Sequence, residues 1–199
     1  MGDVLLLSGG LDSTALAFQL KPPHAVVIDY GQVTARGEIV AARAVAEALA
    51  IPITVIEVDC RSVGSGLLAH QPTPAHSPSA EWWPFRNQLL ASLAGAWAVS
   101  SAQKIETLLF GTVATDSFHR DGTKEFFTAL NELMRAQEGG VGVAAPAIEK
   151  TSAALVREAE IPDSVLAWTH SCHRASVACG DCPGCAKRQE VLLELGRLQ

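Results

Sequence analysis

The sequence predicts an α/β fold, a parallel sheet with helices on both faces, followed by a small metal-binding segment. Three observations carry this. Short runs dominated by Val, Ile and Leu recur at residues 3–8, 25–30, 53–58 and 107–112. They alternate with longer stretches whose apolar residues fall at helical spacing, the order expected of strand–helix–strand units. Four of the five cysteines crowd into residues 172–185, near the C-terminal end.

Residues 3–8 form the first strand, apolar throughout from Val4 to Leu7, as a strand buried on both faces requires. STALAFQL, residues 13–20, is a helix that Ser8, Asp12 or Ser13 can cap, and Lys21-Pro22-Pro23 stops it. AVVIDY, 25–30, is the second strand. Residues 36–50 place Ile39, Val40, Ala42, Val45, Ala46 and Leu49 on one helical face, and Pro52 separates that helix from the third strand, 53–58. Residues 60–84 are rich in Ser, Gly, His and Pro; so long a stretch without pattern reads as a mobile lid, a binding loop or disorder. A helix returns from Arg86 to Ser101, and TLLFGT, 107–112, is the fourth strand. A helix over 123–137, a glycine-rich link with a short strand over 138–146, a short helix at TSAALVREAEI and a last helix from about Lys187 to Leu198 follow.

Composition narrows the function classes. The chain has 199 residues, 48% of them hydrophobic, and a formal net charge of −6. No apolar run reaches the ~18 residues of a membrane span. MGDVLLLSGG lacks the basic flank of a signal peptide and breaks at glycine, so a cytoplasmic protein without membrane association is expected. The acidic balance, with no dense Lys/Arg cluster, argues against a protein that grips nucleic acid through its phosphates. Clustered cysteines in such a chain point to metal rather than to disulfides. Cys60 stands apart, after the third strand, and reads as a buried or half-buried thiol.

Five segments carry the candidate chemistry. SGGLDS, Ser8 to Ser13, joins a strand to a helix. It lacks the lysine of a Walker A loop and the spacing of a dinucleotide fingerprint. Glycines let a backbone approach a ligand, and a helix start offers free N–H groups and a positive dipole end to an anion. By itself the segment reads as readily as a turn with a helix cap. IDYGQ, Ile28 to Gln32, ends the second strand beside it; Tyr30 can stack on a purine, and the plain alternative is a turn at Gly31. In WWPFRNQLL, Arg86 and Asn87 open a helix, where a guanidinium suits phosphate or carboxylate and an asparagine can cap. GTVATDSFHRDG, from Gly111 through Asp116, is either a solvated loop or a recognition loop at the sheet edge. CHRASVACGDCPGC is the most specific segment. Cys172, Cys179, Cys182 and Cys185 can wrap one tetrahedral Zn²⁺, a closed and therefore structural site. An iron–sulfur cluster is the rival, disfavoured by the short spacing. His170 and His173 flank the cluster as bystanders.

SGGLDS resembles the PP-loop of ATP pyrophosphatases. Together with DYGQ, the Pro-x-Arg-Asn segment and Ser-Cys followed by Cys-Gly-x-Cys-x-x-Cys, it resembles the QueC family of 7-cyano-7-deazaguanine synthases from Val4 to about Leu193. The resemblance implies a Rossmann-like ATP-binding domain over residues 1–160, of the adenine-nucleotide α-hydrolase type, and a zinc-binding segment over 161–199. It implies an ATP-dependent C–N ligase that converts 7-carboxy-7-deazaguanine and ammonia to 7-cyano-7-deazaguanine on the queuosine route, and a homodimer. By position, Ser8, Gly9, Gly10, Leu11, Asp12, Ser13 and Thr14 would hold the ATP phosphates with Mg²⁺. Tyr30, Gly31, Gln32, Gly111 and Asp116 would lie near nucleotide or substrate. Arg86 and Asn87 would meet the acid or a phosphate. Asp12, Ser13, Arg86 and Lys150 would be catalytic.

The chain also departs from that pattern. The family lysine expected at Ser152 is absent, with Lys150 two positions early. His173 stands where a tyrosine is expected, Val33-Thr34-Ala35 where basic residues are, and SFHRDG where a Tyr-Pro-Asp segment is. All lie on the substrate side. The alternatives are therefore a QueC-like ligase that joins the adenylated acid to another amine, on a protein or nucleic acid, or another PP-loop ATPase. A non-enzymatic nucleotide-binding module and a tRNA-thiolating enzyme are more distant readings; the latter has only Cys60 for sulfur chemistry.

Overall fold

The computed structural model describes residues 2–101 and 104–197. Five strands, β1 (Gly2–Leu6), β2 (His24–Asp29), β3 (Ile53–Glu57), β4 (Ile105–Leu109) and β5 (Gly142–Ala144), form one sheet in the order β3-β2-β1-β4-β5. Every pairing is parallel, with Leu5 opposite Ala25 on one side and Leu109 on the other. The α/β expectation holds, and the short strand in the 138–146 link is β5, the edge strand beside β4.

Alternate strand residues feed two cores, as the period of two demands. Leu5, Val27 and Leu109 face the core built by α1 (Leu11–Leu20), α2 (Ala35–Ala48), α6 (Ser152–Ala159), α7 (Asp163–Leu166) and α8 (Pro183–Glu194). Val4, Val26 and Leu108 face the core built with α4 (Arg86–Ser100) and α5 (Lys124–Arg135). Building outward from β1 in both directions has a geometric result. The chain leaves β1 for β2 and β3, then returns to β1's other side as β4. The loops after β1 and β4 therefore diverge and open a crevice at the carboxyl ends of the strands.

The 60–84 segment is an ordered excursion that brings Leu68 and Glu81 to the crevice. It carries a 3₁₀ turn at Arg61–Val63 and the single-turn helix α3 (Gly66–Ala69). Leu67 N–H donates to the Ala80 carbonyl at 2.8 Å, and the Ser65 hydroxyl to that of Trp82 at 2.6 Å. Its anchor is Trp83, 1% exposed, edge-on to Tyr30 at 4.8 Å. A Cβ on Gly64 would sit 2.7 Å from the indole. Apolar burial explains what composition hid: Trp83, with Leu68 and Ala69, anchors a segment otherwise rich in Ser, Gly, His and Pro. Trp83→Ala is expected to cost about 3–5 kcal/mol, read as a lower urea midpoint with an unchanged slope.

Two boundaries differ from expectation with consequences for the crevice. Helix α1 starts at Leu11 rather than residue 13, with Gly10 as N-cap and no side chain capping it. Helix α8 starts at Pro183 rather than Lys187, with the Cys182 sulfur accepting the Cys185 amide at 3.4 Å. Proline favours the first helical position, and the sulfur acts as cap. The expected end at Leu198 lies outside the described residues. No helix among them is long and apolar enough to cross a membrane.

Candidate active site and metal centre

The crevice is a cavity of about 560 Å³, within the range of cofactor-sized sites. Its floor is the strand ends, including Leu6, Val26 and Ile28. One wall is the β1–α1 loop. Because Gly10 leaves α1 without a side-chain cap, the first-turn N–H groups and the positive end of the helix dipole open toward the cavity. The Ser8 and Ser13 hydroxyls stand 3.1 Å apart, and Ser13 donates to the Gly10 carbonyl at 3.3 Å. The close approach of β4 fixes this wall: a Cβ on Gly111 would lie 3.0 Å from the Ser13 Cα. Gly9 adopts φ +76°, and a Cβ there would lie 2.5 Å from Ala41, so both geometry and space demand glycine.

Asp12 occupies the first turn of α1. Burial pushes its carboxyl up, against the Lys187 ammonium and the Ser152 hydroxyl. Lys187 Nζ lies 3.2 Å from Asp12 Oδ2 and 3.3 Å from Asp116 Oδ1. Asp116 Oδ2 accepts the Val113 amide at 3.0 Å. Asp12 Oδ1 and Ser152 Oγ are both buried. Asp12, Asp116 and Lys187 come from α1, from the 3₁₀ turn Ala114–Phe118 after β4, and from α8.

Arg86, Glu81, His119 and His173 line the cavity as well. Burial opposes the Arg86 charge, but Tyr30, Asp121, Glu38 and Asp116 hold the guanidinium protonated. Asn87 does not cap its own helix. Its Nδ2 donates to the Asp121 carbonyl at 2.7 Å and its amide to Asp121 Oδ2 at 3.2 Å. The loop after β4 thus caps α4 and locks Arg86 in place.

Most expected site residues meet in this cavity: Ser8, Gly10, Leu11, Asp12, Ser13, Tyr30, Arg86, Asn87, Gly111 and Asp116 all line it. Others do not. Thr14 is wholly buried beneath the loop. Gly31 makes the turn at φ +96°, packed on Arg61. Gln32 is bound within the protein, accepting from Tyr30 N at 2.9 Å and donating to Glu38 and the Ile28 carbonyl. Tyr30 lines the cavity, but its ring is held edge-on by Trp83 rather than standing free for a purine. Lys150 pairs with the exposed Glu158 and does not line the cavity; the ammonium there belongs to Lys187, which the sequence reading took only as a helix start.

The four cysteines converge. The sulfurs of Cys172, Cys179, Cys182 and Cys185 all lie within 4.8 Å of one another, and two pairs stand 4.0 and 3.9 Å apart. A tetrahedron of thiolates about 2.3 Å from a central ion has edges of about 3.8 Å. Amides of His173 and Arg174 donate to Cys182 and Cys172 at 3.2 and 3.4 Å, which suits anionic sulfur. The donor set and spacing fit a closed metal site. It is built into the cavity wall: His170 N donates to the Gly9 carbonyl at 2.9 Å, and a Cβ on Gly37 would meet the Ser176 carbonyl at 2.6 Å.

Comparison with known proteins gives the same direction. A family model described as "Queuosine biosynthesis protein QueC" matches residues 3–196. The chain belongs to the QueC family. Among relatives, a 7-cyano-7-deazaguanine synthase of Chlorobium phaeovibrioides is 34% identical, over 94% of this chain and 90% of that protein. One of Acidobacterium capsulatum is 32% identical over 96% and 91%, and one of Methanothermobacter thermautotrophicus 30% identical over 96% and 94%. As a QueC chain, the protein carries the loop and the four cysteines, and it carries its cavity cation on α8.

Proposed function

We propose that the protein adenylates 7-carboxy-7-deazaguanine with ATP and condenses it with ammonia to 7-cyano-7-deazaguanine, in queuosine biosynthesis. The observation that carries this is the uncapped α1 start facing a cavity with Asp12, Lys187, Asp116 and Arg86 around it, in a QueC-family chain. The triphosphate would lie along Ser8–Ser13, with the adenine over the strand ends. Asp12 and Asp116 would hold Mg²⁺, which supplies charge neutralisation for the departing pyrophosphate. Arg86 would orient the acid. The acid's oxygen attacks the α-phosphorus and pyrophosphate leaves. Ammonia then attacks the acyl carbon, AMP leaves and a proton is lost, giving the amide. A second ATP takes the amide oxygen in the same way. Loss of AMP, with the nitrogen's protons released, leaves the nitrile. A carboxylate oxygen is a poor leaving group and AMP a good one, so preorganised cations at the phosphates carry the rate.

Zn²⁺ would sit on Cys172, Cys179, Cys182 and Cys185 as a structural ion. A cytoplasmic homodimer fits the family. His119, His173 and Glu81 in the cavity lining favour one further reading, a QueC-like ligase that passes the activated acid to another amine, such as one on a protein. Incubation of the pure protein with 7-carboxy-7-deazaguanine, Mg-ATP and ammonium tests both. Pyrophosphate release with nitrile in the mass spectrum is expected. Amide or adenylate without nitrile would favour the ligase, and no pyrophosphate at all would sink both.

A further inference from the structure

We propose that Lys187, carried by the helix that the metal site starts, supplies the ammonium to the nucleotide phosphates that the SGGLDS loop lacks. The inference rests on the adenylating reading of the cavity. No lysine lies in the β1–α1 loop. Of the non-histidine cations lining the cavity, Arg86 is held among Tyr30, Asp121, Glu38 and Asp116, and Arg188 is turned away to Thr169 Oγ1 and the Leu166 carbonyl at 3.1 and 3.0 Å. Among the described residues, Lys187 Nζ is the cation that reaches the acidic side chain in the first turn of α1. Its Nζ bridges Asp12 and Asp116. Those two contacts use two of the ammonium's three N–H donors, and the third would be free to meet a phosphate oxygen at the start of α1.

Delivery is rigid. Cys182 caps α8 and Cys185 lies in its first turn, so two of the four sulfurs fix the helix two residues before Lys187. The position is also replaceable in space. Ser152, at the start of α6, lines the cavity, and its hydroxyl faces the Asp12 carboxyl. An ammonium grown from position 152 would enter the same site from another element.

The test is Lys187→Met against the double variant Lys187→Met/Ser152→Lys, both loaded with zinc. Lys187→Met is expected to keep its zinc stoichiometry, to bind a non-hydrolysable ATP analogue at least fivefold more weakly, and to release pyrophosphate about 10²–10³-fold more slowly. The double variant is expected to recover analogue binding and at least tenfold of the rate. Analogue affinity within twofold of the parent in Lys187→Met would overturn the proposal. So would a double variant no better than the single one, because the loss would then come from helix packing rather than charge. Should the parent release no pyrophosphate from the deazaguanine acid, the reaction assignment fails, while analogue binding still decides the role of Lys187.

Discussion

Asp12→Asn is expected to lower pyrophosphate release by at least about 10³-fold while leaving zinc content and folding intact. Removing one preorganised electrostatic group at a reacting centre costs 10²–10³-fold. Asp12 would hold the divalent ion and position Lys187, so both are lost together. The stability arm has a definite sign. Burial raises the Asp12 carboxyl, with Lys187 opposing. A carboxyl raised in the folded state stabilises the fold when protonated, and that contribution is lost as pH rises through its folded value. At neutral pH the charge is therefore a cost, and asparagine removes it with the same shape. Asp12→Asn should unfold at the same temperature or a few degrees higher. A variant that loses activity by unfolding earlier would show Asp12 to be a structural residue instead.

Stripping the metal, or replacing Cys182 by serine, is expected to be the most destabilising single change available. Structural zinc sites bind with an apparent 10–16 kcal/mol in isolated peptides; in this larger fold a loss of several kcal/mol is expected. Cys172 and Cys182 are buried, and without an ion their sulfurs face each other uncompensated. Damage should spread beyond the segment, because His170 holds the Gly9 carbonyl and Ser176 packs on Gly37. Hydrogen exchange after chelation should show protection falling at residues 169–195 and also at the β1–α1 loop. Exchange confined to the C-terminal segment, with ATP-analogue binding unchanged, would refute the coupling.

Strands and helices were legible because each carries its own period: Val4–Leu7 and Ala25–Ile28 are continuous apolar runs, and α2 repeats Ala42, Val45, Ala46. The metal cluster was legible because its four ligands lie within fourteen residues. The β1–α1 loop was legible as a shape. The residues that sequence reasoning misplaced depend on distant partners. Lys150 and Lys187 look alike in sequence, and only the packing of α8 on α1 and α6 decides which ammonium reaches Asp12. Gln32 is polar in the sequence but serves the turn it belongs to, and Tyr30 lines the cavity with its ring held edge-on by Trp83. The 60–84 segment concealed its order because Trp83 with Leu68 and Ala69, not a periodic pattern, anchors it. One clue to Lys187 was available: a capping cysteine followed by proline is a helix start, and position 187 then falls within that helix.

Asp12 and Lys187 meet across 175 residues of chain. At 5–20 residues per second of synthesis, roughly ten to thirty-five seconds separate the appearance of the two halves of one cavity. The first half therefore emerges as an open helix start without that ammonium, and the later-made segment from Cys172 to Lys187 completes it. A nascent chain that has made α1 but not α8 thus has a loop without its completed cradle.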